Sequence, residues 1–446
     1  MFERKIEKRL SEWKQRAGHS PLIIKGVRQC GKTYSVRSFA HKNYRHVVYL
    51  DFHEHPEFKN FFSGSLDVKT IVMNITAGMP DAVFEAGETC LIMDELQECP
   101  AARAALKFLK IDGRFDVLCT GSLLGVNGYR TLKERKEEQK TSIPVGYEEI
   151  IDMYPMDFEE WLWANGLQSS HIDYLRNCLH DETPVNEAMD EKLQQLLRQY
   201  IVVGGMPRAV TVFLETRHMG QVLAVQRGII DDYKADMMKY AMPSDKSRIR
   251  ECFDSIPRQL ARENKKFSYT TVKAGGRGRD YAGCLQWIED AGIIRRCRNM
   301  ESTELPLDGN SMDDVFKVYM ADTGLFVSML EDGTASSILQ GSLYTYKGAI
   351  FENLMADILG KMGRKLYYYH KDSGLELDFL IRYQGQCVPL ECKAEDGNAK
   401  SLKTVIGNPE KYHVAQGIKI GNFNVSRNGA VLRLPHYMVF LLTNIE

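Results

Sequence analysis

The sequence is short of net charge, of paired cysteines and of long apolar runs. Its 446 residues carry 58 Lys and Arg against 59 Asp and Glu, a net charge of −1. Overall electrostatics therefore select neither nucleic acid nor a membrane surface, and only local charge can point to a partner. Ten cysteines occur, none in a C-x-x-C pair, so the expectation is free thiols in a reducing cytoplasm. No apolar run reaches the length of a membrane span. The opening "MFERKIEKRL" is charged throughout, unlike a secretory signal. What is present in ordinary amount is apolar sequence, 44%, enough to build the cores of about two to four domains at this length.

The first strong motif is "PLIIKGVRQCGKTYSVRSFA". Gly26, Gly31, Lys32 and Thr33 fit G-x-x-x-x-G-K-[ST] without a mismatch. "LIIKG" reads as a buried strand and "TYSVRSFA" as a continuing helix. In that context glycines let backbone N–H groups curl around phosphates, and the helix N-terminus adds favourable dipole charge. Lys32 would reach the β- and γ-phosphates of ATP, and Thr33 would ligate Mg²⁺.

A phosphate loop of this kind needs an acid to organise the metal. "TCLIMDELQECP" supplies Asp94 at the carboxyl end of a short apolar strand. Asp94 would hold Mg²⁺ through water, and Glu95 beside it would orient or deprotonate the attacking water. The blander reading of this pair is a helix cap after a strand. A third strand, "DVLCTGSLL", ends in Thr120 and Ser122, either of which would reach the γ-phosphate or the water, or merely cap the strand. Three strands with apolar bodies and polar carboxyl ends fit an open parallel α/β sheet, whose ligands bind beyond those ends.

From about 160 to 240 the periodicity is helical. The segment from about 247 to 300 reads as a winged-helix unit, with "YAGCLQWIEDAG" as an amphipathic helix whose Leu285 and Ile288 face a core, and "IIRRCRN" as a wing strand. Between Arg258 and Arg298 there are ten Lys or Arg against four Asp or Glu. Lys265, Lys266, Lys273, Arg277 and Arg279 are candidates for contact with the phosphates of DNA. A solvated basic face is the plainer alternative.

Near the end, "LELDFLIRYQGQCVPLECKAE" reads as two apolar strands joined by a glycine-containing turn. Asp378 interrupts the first strand, and Glu391 and Lys393 the second. Residues two apart on a strand share a face, so Glu391 and Lys393 project together, toward a side that Asp378 can join. The amphipathic helix "YKGAIFENLMADILGKM" upstream can deliver Glu352. Two carboxylates, Asp378 and Glu391, suit a divalent cation, Mg²⁺ or Mn²⁺, with Lys393 positioning or activating the attacking water. The alternative is a salt-bridged hairpin that has no cutting activity and serves recognition.

The ordered set "GVRQCGKT", "IMDELQ", "CTGSLL", "YPMDFEEWLWA", "YIVVGGMPRAV", "VYMADTGLF", "GAIFENLMADIL" and "PLECKA" spans nearly the whole chain. The chain resembles prokaryotic AAA-type P-loop ATPases that carry a C-terminal domain of unassigned function. Its end resembles the PD-(D/E)xK endonuclease core. The resemblance implies an α/β multidomain protein: a P-loop AAA-type domain with a parallel sheet over 1–160, a helical lid over 161–245, a winged-helix-like unit over 246–305 and a nuclease-like domain over 306–446. It implies Mg²⁺–ATP hydrolysis coupled to a nuclease-like or nucleic-acid-binding module. A nucleotide-controlled DNA- or protein-binding switch of signalling or defence type, without cleavage, is the alternative. The family's Gly-Arg pair before "YPMDFEEW" is Gly146-Tyr147 here, so no arginine finger carries over to that position. Arg28 and Arg103 are the remaining candidates.

Overall fold

The computed structural model describes residues 2–122, 146–263, 265–342, 346–394 and 397–443. Leu123 and Leu124 of "CTGSLL", residues 142–145 ahead of Gly146, and Glu395 at the end of the hairpin stretch lie outside the described residues. The chain forms two compact units. One comprises Met1–Pro155, Ala235–Lys246 and Asp290–Gly292; the other comprises Met156–Lys234, Ser247–Glu289 and Ile293–Glu446.

The first unit is built on five parallel strands: β1 (Leu22–Gly26), β2 (His46–Asp51), β3 (Thr89–Asp94), β4 (Asp116–Ser122) and β5 (Glu149–Asp152), in the order β2-β3-β4-β1-β5. Strands of a parallel sheet are covered on both faces and so read as continuous apolar runs; all six residues of β3 are buried. The helix Pro100–Asp112 shows how the cover forms. Ala102, Ala105, Leu106 and Leu109 recur at helical spacing and pack with Leu91, Met93 and Cys119 of the sheet. Proline suits its first position, and the helix stops where Gly113 takes φ +67°, with its N–H on the Leu109 carbonyl.

The second unit carries β6 (Ile294–Met300), β7 (Ser311–Met320), β8 (Leu366–His370), β9 (Glu376–Tyr383), β10 (Gln386–Cys392), β11 (Gly417–Gly421), β12 (Ser426–Asn428) and β13 (Val431–Pro435). They form one mixed sheet ordered β12-β13-β11-β10-β9-β8-β6-β7. The strand expected as a wing, "IIRRCRN", is β6. It pairs antiparallel with β7 and also parallel with β8, so it is an interior strand of the large sheet. Leu285 and Ile288 are buried on the helix Gly278–Asp290, as the periodicity required. The β9–β10 hairpin turns through Gln384 (φ +49°) and Gly385 (φ +74°). Two successive positive φ angles are what a tight hairpin needs to match strand twist. All ten cysteines are buried thiols outside any disulfide, and no described helix is long and apolar enough to cross a membrane.

Three of the sequence motifs meet in one buried polar hub of the second unit. The Lys361 ammonium pairs with Asp357 Oδ1 at 2.8 Å and Asp322 Oδ2 at 3.0 Å, and donates to the Tyr200 hydroxyl at 3.0 Å. Asp322 Oδ2 accepts the Gly205 N–H at 2.7 Å, and Asp357 Oδ2 accepts the Thr323 N–H at 2.9 Å. Gly204 sits at φ +67°, and a Cβ there would lie 2.1 Å from Asp322 Oδ1. "VVGGMP", "ADTGLF" and "FENLMADILGK" therefore depend on one another: Gly204 admits the Asp322 carboxylate, Gly205 leaves room for Lys361, and Lys361 compensates Asp322.

Candidate functional site

The phosphate-loop residues lie between β1 and the helix Lys32–Asn43. The loop needs glycine at two points for different reasons. Gly31 takes φ +97° immediately before the helix, a conformation costly for residues with a Cβ. At Gly26, a Cβ would lie 2.3 Å from the Met153 carbonyl oxygen. Lys32 is buried, and its ammonium donates to the Gly26 and Val27 carbonyls at 3.0 and 3.1 Å. The lysine thus folds back over its own loop, satisfied by carbonyl oxygens that a phosphate oxygen can replace. Thr33 follows it, half-buried, in the first turn of the helix.

Asp94 ends β3, buried, with three donors converging on its carboxylate. Thr120 Oγ1 donates to Oδ1 from neighbouring β4, the Glu95 N–H donates to Oδ1 at 3.0 Å, and the Tyr49 hydroxyl donates to Oδ2 at 2.7 Å from β2. Burial and the bond to Asp94 push the Tyr49 hydroxyl well above its usual pKa, which keeps it a neutral donor. Glu95 turns the chain at φ +51°, and its carboxylate accepts the Gln97 side-chain amide. Ser122 is buried at the end of β4, opposite Gly26 in register. Lys32, Thr33, Asp94, Glu95, Thr120 and Ser122 therefore belong to the carboxyl edge of one sheet. Thr120 was read as a phosphate contact or a cap; the structure shows that it donates to the Asp94 carboxylate.

The two arginine candidates are engaged. Arg103 makes a two-pronged pair with Glu148, at 2.7 and 3.3 Å, with both side chains about nine-tenths buried. That pair sets it in the interior of its own unit. Arg28 pairs with Asp236 at 2.9 Å. Tyr147 lies under the Lys107 ammonium, 5.4 Å from the ring centre.

The second unit gathers its four candidate residues into one polar cluster. Glu352, on the buried helix Lys347–Lys361, accepts the Tyr319 hydroxyl at 3.0 Å, holds the Lys265 ammonium, and lies 3.7 Å from Lys317. Lys317 also pairs with Glu376 at 2.5 Å. Asp378 Oδ2 accepts the Cys392 N–H at 2.8 Å, and Lys393 pairs with Glu391 at 2.7 Å. Among the described residues, Glu391 Oε2 is buried without a hydrogen-bond partner. Burial, then the charges of Glu352 and Glu391, push the Asp378 carboxyl up to about 8. Burial opposes the charge of Glu352 too, but Lys317 and Lys265 outweigh it and hold that carboxyl below its usual value.

Lys317, Tyr319 and Glu376 were missed in the sequence, although a signal existed. Strand alternation puts Lys317 and Tyr319 on one face of "FKVYM", and Glu376 and Asp378 on one face of "ELDFL". Among the basic residues expected at DNA, Lys266, Lys273, Arg277 and Arg279 are exposed, while Lys265 turns inward to Glu352. Lys273 pairs with Glu251 at 3.1 Å. Among the described residues no group of three or more His, Cys, Asp or Glu is arranged to hold a metal ion.

Residues 18–162 match the family described as AAA domain. The N-terminal segment is an AAA-type P-loop domain. Residues 194–336 match a domain of unknown function (DUF8612), and residues 347–437 match another (DUF4143). No curated protein matches the chain. Among solved structures, a Walker-type ATPase of Pyrococcus abyssi is similar at TM-score 0.44 and 14% identity, over 74% of this chain and 96% of its own. AMPPCP-bound DnaA from Aquifex aeolicus aligns at TM-score 0.24 and 14% identity, over 65% and 88%. A signal transduction ATPase with numerous domains, from Pyrococcus horikoshii, aligns at 0.26 and 10%, over 80% of this chain and 45% of its own. At such scores none of these likenesses establishes a common overall architecture.

Proposed function

We propose that the first unit binds Mg²⁺–ATP and hydrolyses it, and that the nucleotide state governs a nuclease-like second unit. The observation that carries the first half is the convergence of Lys32, Thr33, Asp94 and Glu95 on the carboxyl edge of one parallel sheet. Lys32 leaves its loop carbonyls for the β- and γ-phosphates, and the loop N–H groups and helix N-terminus bind the remaining oxygens. The Thr33 hydroxyl and Asp94, the latter oriented by three donors, would hold Mg²⁺. When bound, the ion neutralises charge on the phosphoryl group. Glu95 orients the attacking water and accepts its proton.

Phosphate release measured with ATP and Mg²⁺ tests this. Lys32→Ala is expected to abolish nucleotide binding. Glu95→Gln is expected to retain binding and lower turnover by about 10²–10⁴-fold. Unchanged release in both variants overturns the assignment.

For the second unit, the order helix, β8, β9, β10, helix, β11, with Glu352, Asp378, Glu391 and Lys393 drawn together, supports a nuclease-like core. As arranged, the acids do not fit a divalent cation, because lysine ammonium groups hold Glu352, Glu376 and Glu391. That pairing favours the second reading, a switch that holds DNA or a protein partner without cutting. Incubating supercoiled and linear DNA with Mg²⁺ or Mn²⁺, with and without ATP, separates the two. Products that vanish in Asp378→Ala support cleavage. Retention without products, weakened steeply by salt, supports the switch.

A further inference from the structure

Arg4 stands immediately before the helix Lys5–Gln15, well ahead of the nucleotide motifs. In the sequence it is one charge in the opening "MFERKIEKRL". In the structure it is 7% exposed, and its side chain reaches the phosphate loop, 26 residues on. Nη1 donates to the Cys30 carbonyl at 3.1 Å, and Nη2 donates to the Tyr154 carbonyl at 2.7 Å. A buried arginine needs partners that offset its desolvation, and these two belong to the loop and to the segment behind it.

That segment already packs against the loop. Met153 and Tyr154 follow β5, and the Met153 N–H donates to the Lys25 carbonyl of β1 at 2.8 Å. The Met153 carbonyl accepts the Cys30 thiol at 3.5 Å, and it is what a Cβ at Gly26 would strike. Met153 and Tyr154 thus back the loop, and Arg4 ties the loop to its backing, all within the first unit. Arg4 is itself anchored by its helix, whose Ile6, Leu10 and Trp13 are buried.

The bond to Cys30 has a consequence for the next residue. A trans peptide is planar, so the carbonyl of one residue and the N–H of the next point in opposite directions. With the Cys30 carbonyl turned to Arg4, the Gly31 N–H is turned away from it. Gly31 immediately precedes the helix Lys32–Asn43, so its N–H joins the loop and helix-terminal donors that suit a phosphate. A guanidinium on the carbonyl also polarises the peptide and strengthens that N–H as a donor.

We propose that Arg4 is a positioning residue of the nucleotide site: it fixes the Cys30–Gly31 peptide so that the Gly31 N–H is presented to a phosphate oxygen before the nucleotide arrives. The inference rests on the nucleotide-binding reading of the first unit and adds to it a residue outside the loop. Preorganisation of this kind acts on bound ATP and on its transition state alike, so it sets affinity more than turnover.

The test is equilibrium binding of mant-ATP with Mg²⁺ to the full chain, alongside ATP turnover, in wild type, Arg4→Met and Arg4→Lys. Arg4→Met keeps the apolar stem and removes both donors. It is expected to weaken mant-ATP binding about tenfold and to raise KM for ATP by a similar factor, with kcat much less affected. Arg4→Lys keeps the charge without the fork that spans two carbonyls, and is expected to recover part of the lost affinity. A lower urea midpoint with wild-type mant-ATP affinity shows a structural role alone and overturns the proposal, leaving the nucleotide-binding reading standing. A loss confined to kcat overturns it as well. No mant-ATP binding by wild type overturns both. If Arg4→Met does not fold, Arg4→Lys carries the test: weaker binding than wild type supports the proposal, and equal binding overturns it.

Discussion

Thr120 on β4 donates its hydroxyl hydrogen bond to Oδ1 of Asp94 on the adjacent strand β3. The bond fixes the orientation of a carboxylate that has no freedom to find its own, since it is buried and shared with Tyr49 and the Glu95 N–H. Replacing Thr120 with valine keeps the shape and removes the donor. A hydrogen bond to a charged group contributes about 1.5–3 kcal/mol. Thr120→Val is therefore expected to lower ATP turnover by about 10- to 100-fold and to raise the Mg²⁺ concentration needed for half-maximal rate. A Mg²⁺ titration of phosphate release checks this; an unchanged Mg²⁺ dependence would show that Asp94 does not depend on Thr120.

Lys361 compensates Asp322 and Asp357 in the interior of the second unit. Removing one partner from a buried ion group leaves uncompensated charge and costs about 3–5 kcal/mol. Lys361→Met is expected to destabilise the second unit by that amount, seen as a lower urea midpoint by tryptophan fluorescence. Trp161 reports on the place, since its ring lies 5.9 Å from that of Tyr200. Converting Asp322 and Asp357 to apolar residues in the same chain should recover part of the loss, because the charge left stranded is then gone.

His436 is buried against Phe351, ring centres 4.4 Å apart. Burial lowers its pKa from the usual histidine value to about 3. The folded chain thus keeps His436 neutral where the unfolded chain takes up a proton. Its contribution to stability is complete above about pH 6.5 and is lost as the pH falls toward 3. His436→Phe should remove this part of the acid sensitivity. The difference between wild-type and variant urea midpoints should change between pH 6.5 and 4; a difference constant over that range would count against a buried neutral histidine.

The phosphate loop was legible because its chemistry is local. Gly26, Gly31, Lys32 and Thr33 act within eight residues, and the apolar run before them is long enough to name the strand. Asp94 and Glu95 were legible for the same reason, as acids at the end of an apolar run. The hairpin charges at Asp378, Glu391 and Lys393 stood out because strands seldom bury such residues unpaired. Periodicity also fixed the buried face of Gly278–Asp290.

Pairing across distance was not legible. Lys265 reads as one basic residue among ten in its segment, yet its partner is Glu352, 87 residues on. Arg103 reads as one of two candidate arginines, and its partner is Glu148, 45 residues on. "IIRRCRN" reads as a wing and is an interior strand, because what lies on each side of a strand is set by residues remote in the chain. The sequence by itself determined the glycine-rich loop after β1, the acids at the end of β3 and the charges set into the β9–β10 hairpin. Only the tertiary structure decided which charges neutralise one another, since a buried ammonium pairs with whichever carboxylate the fold brings within reach, and sequence separation places no limit on that.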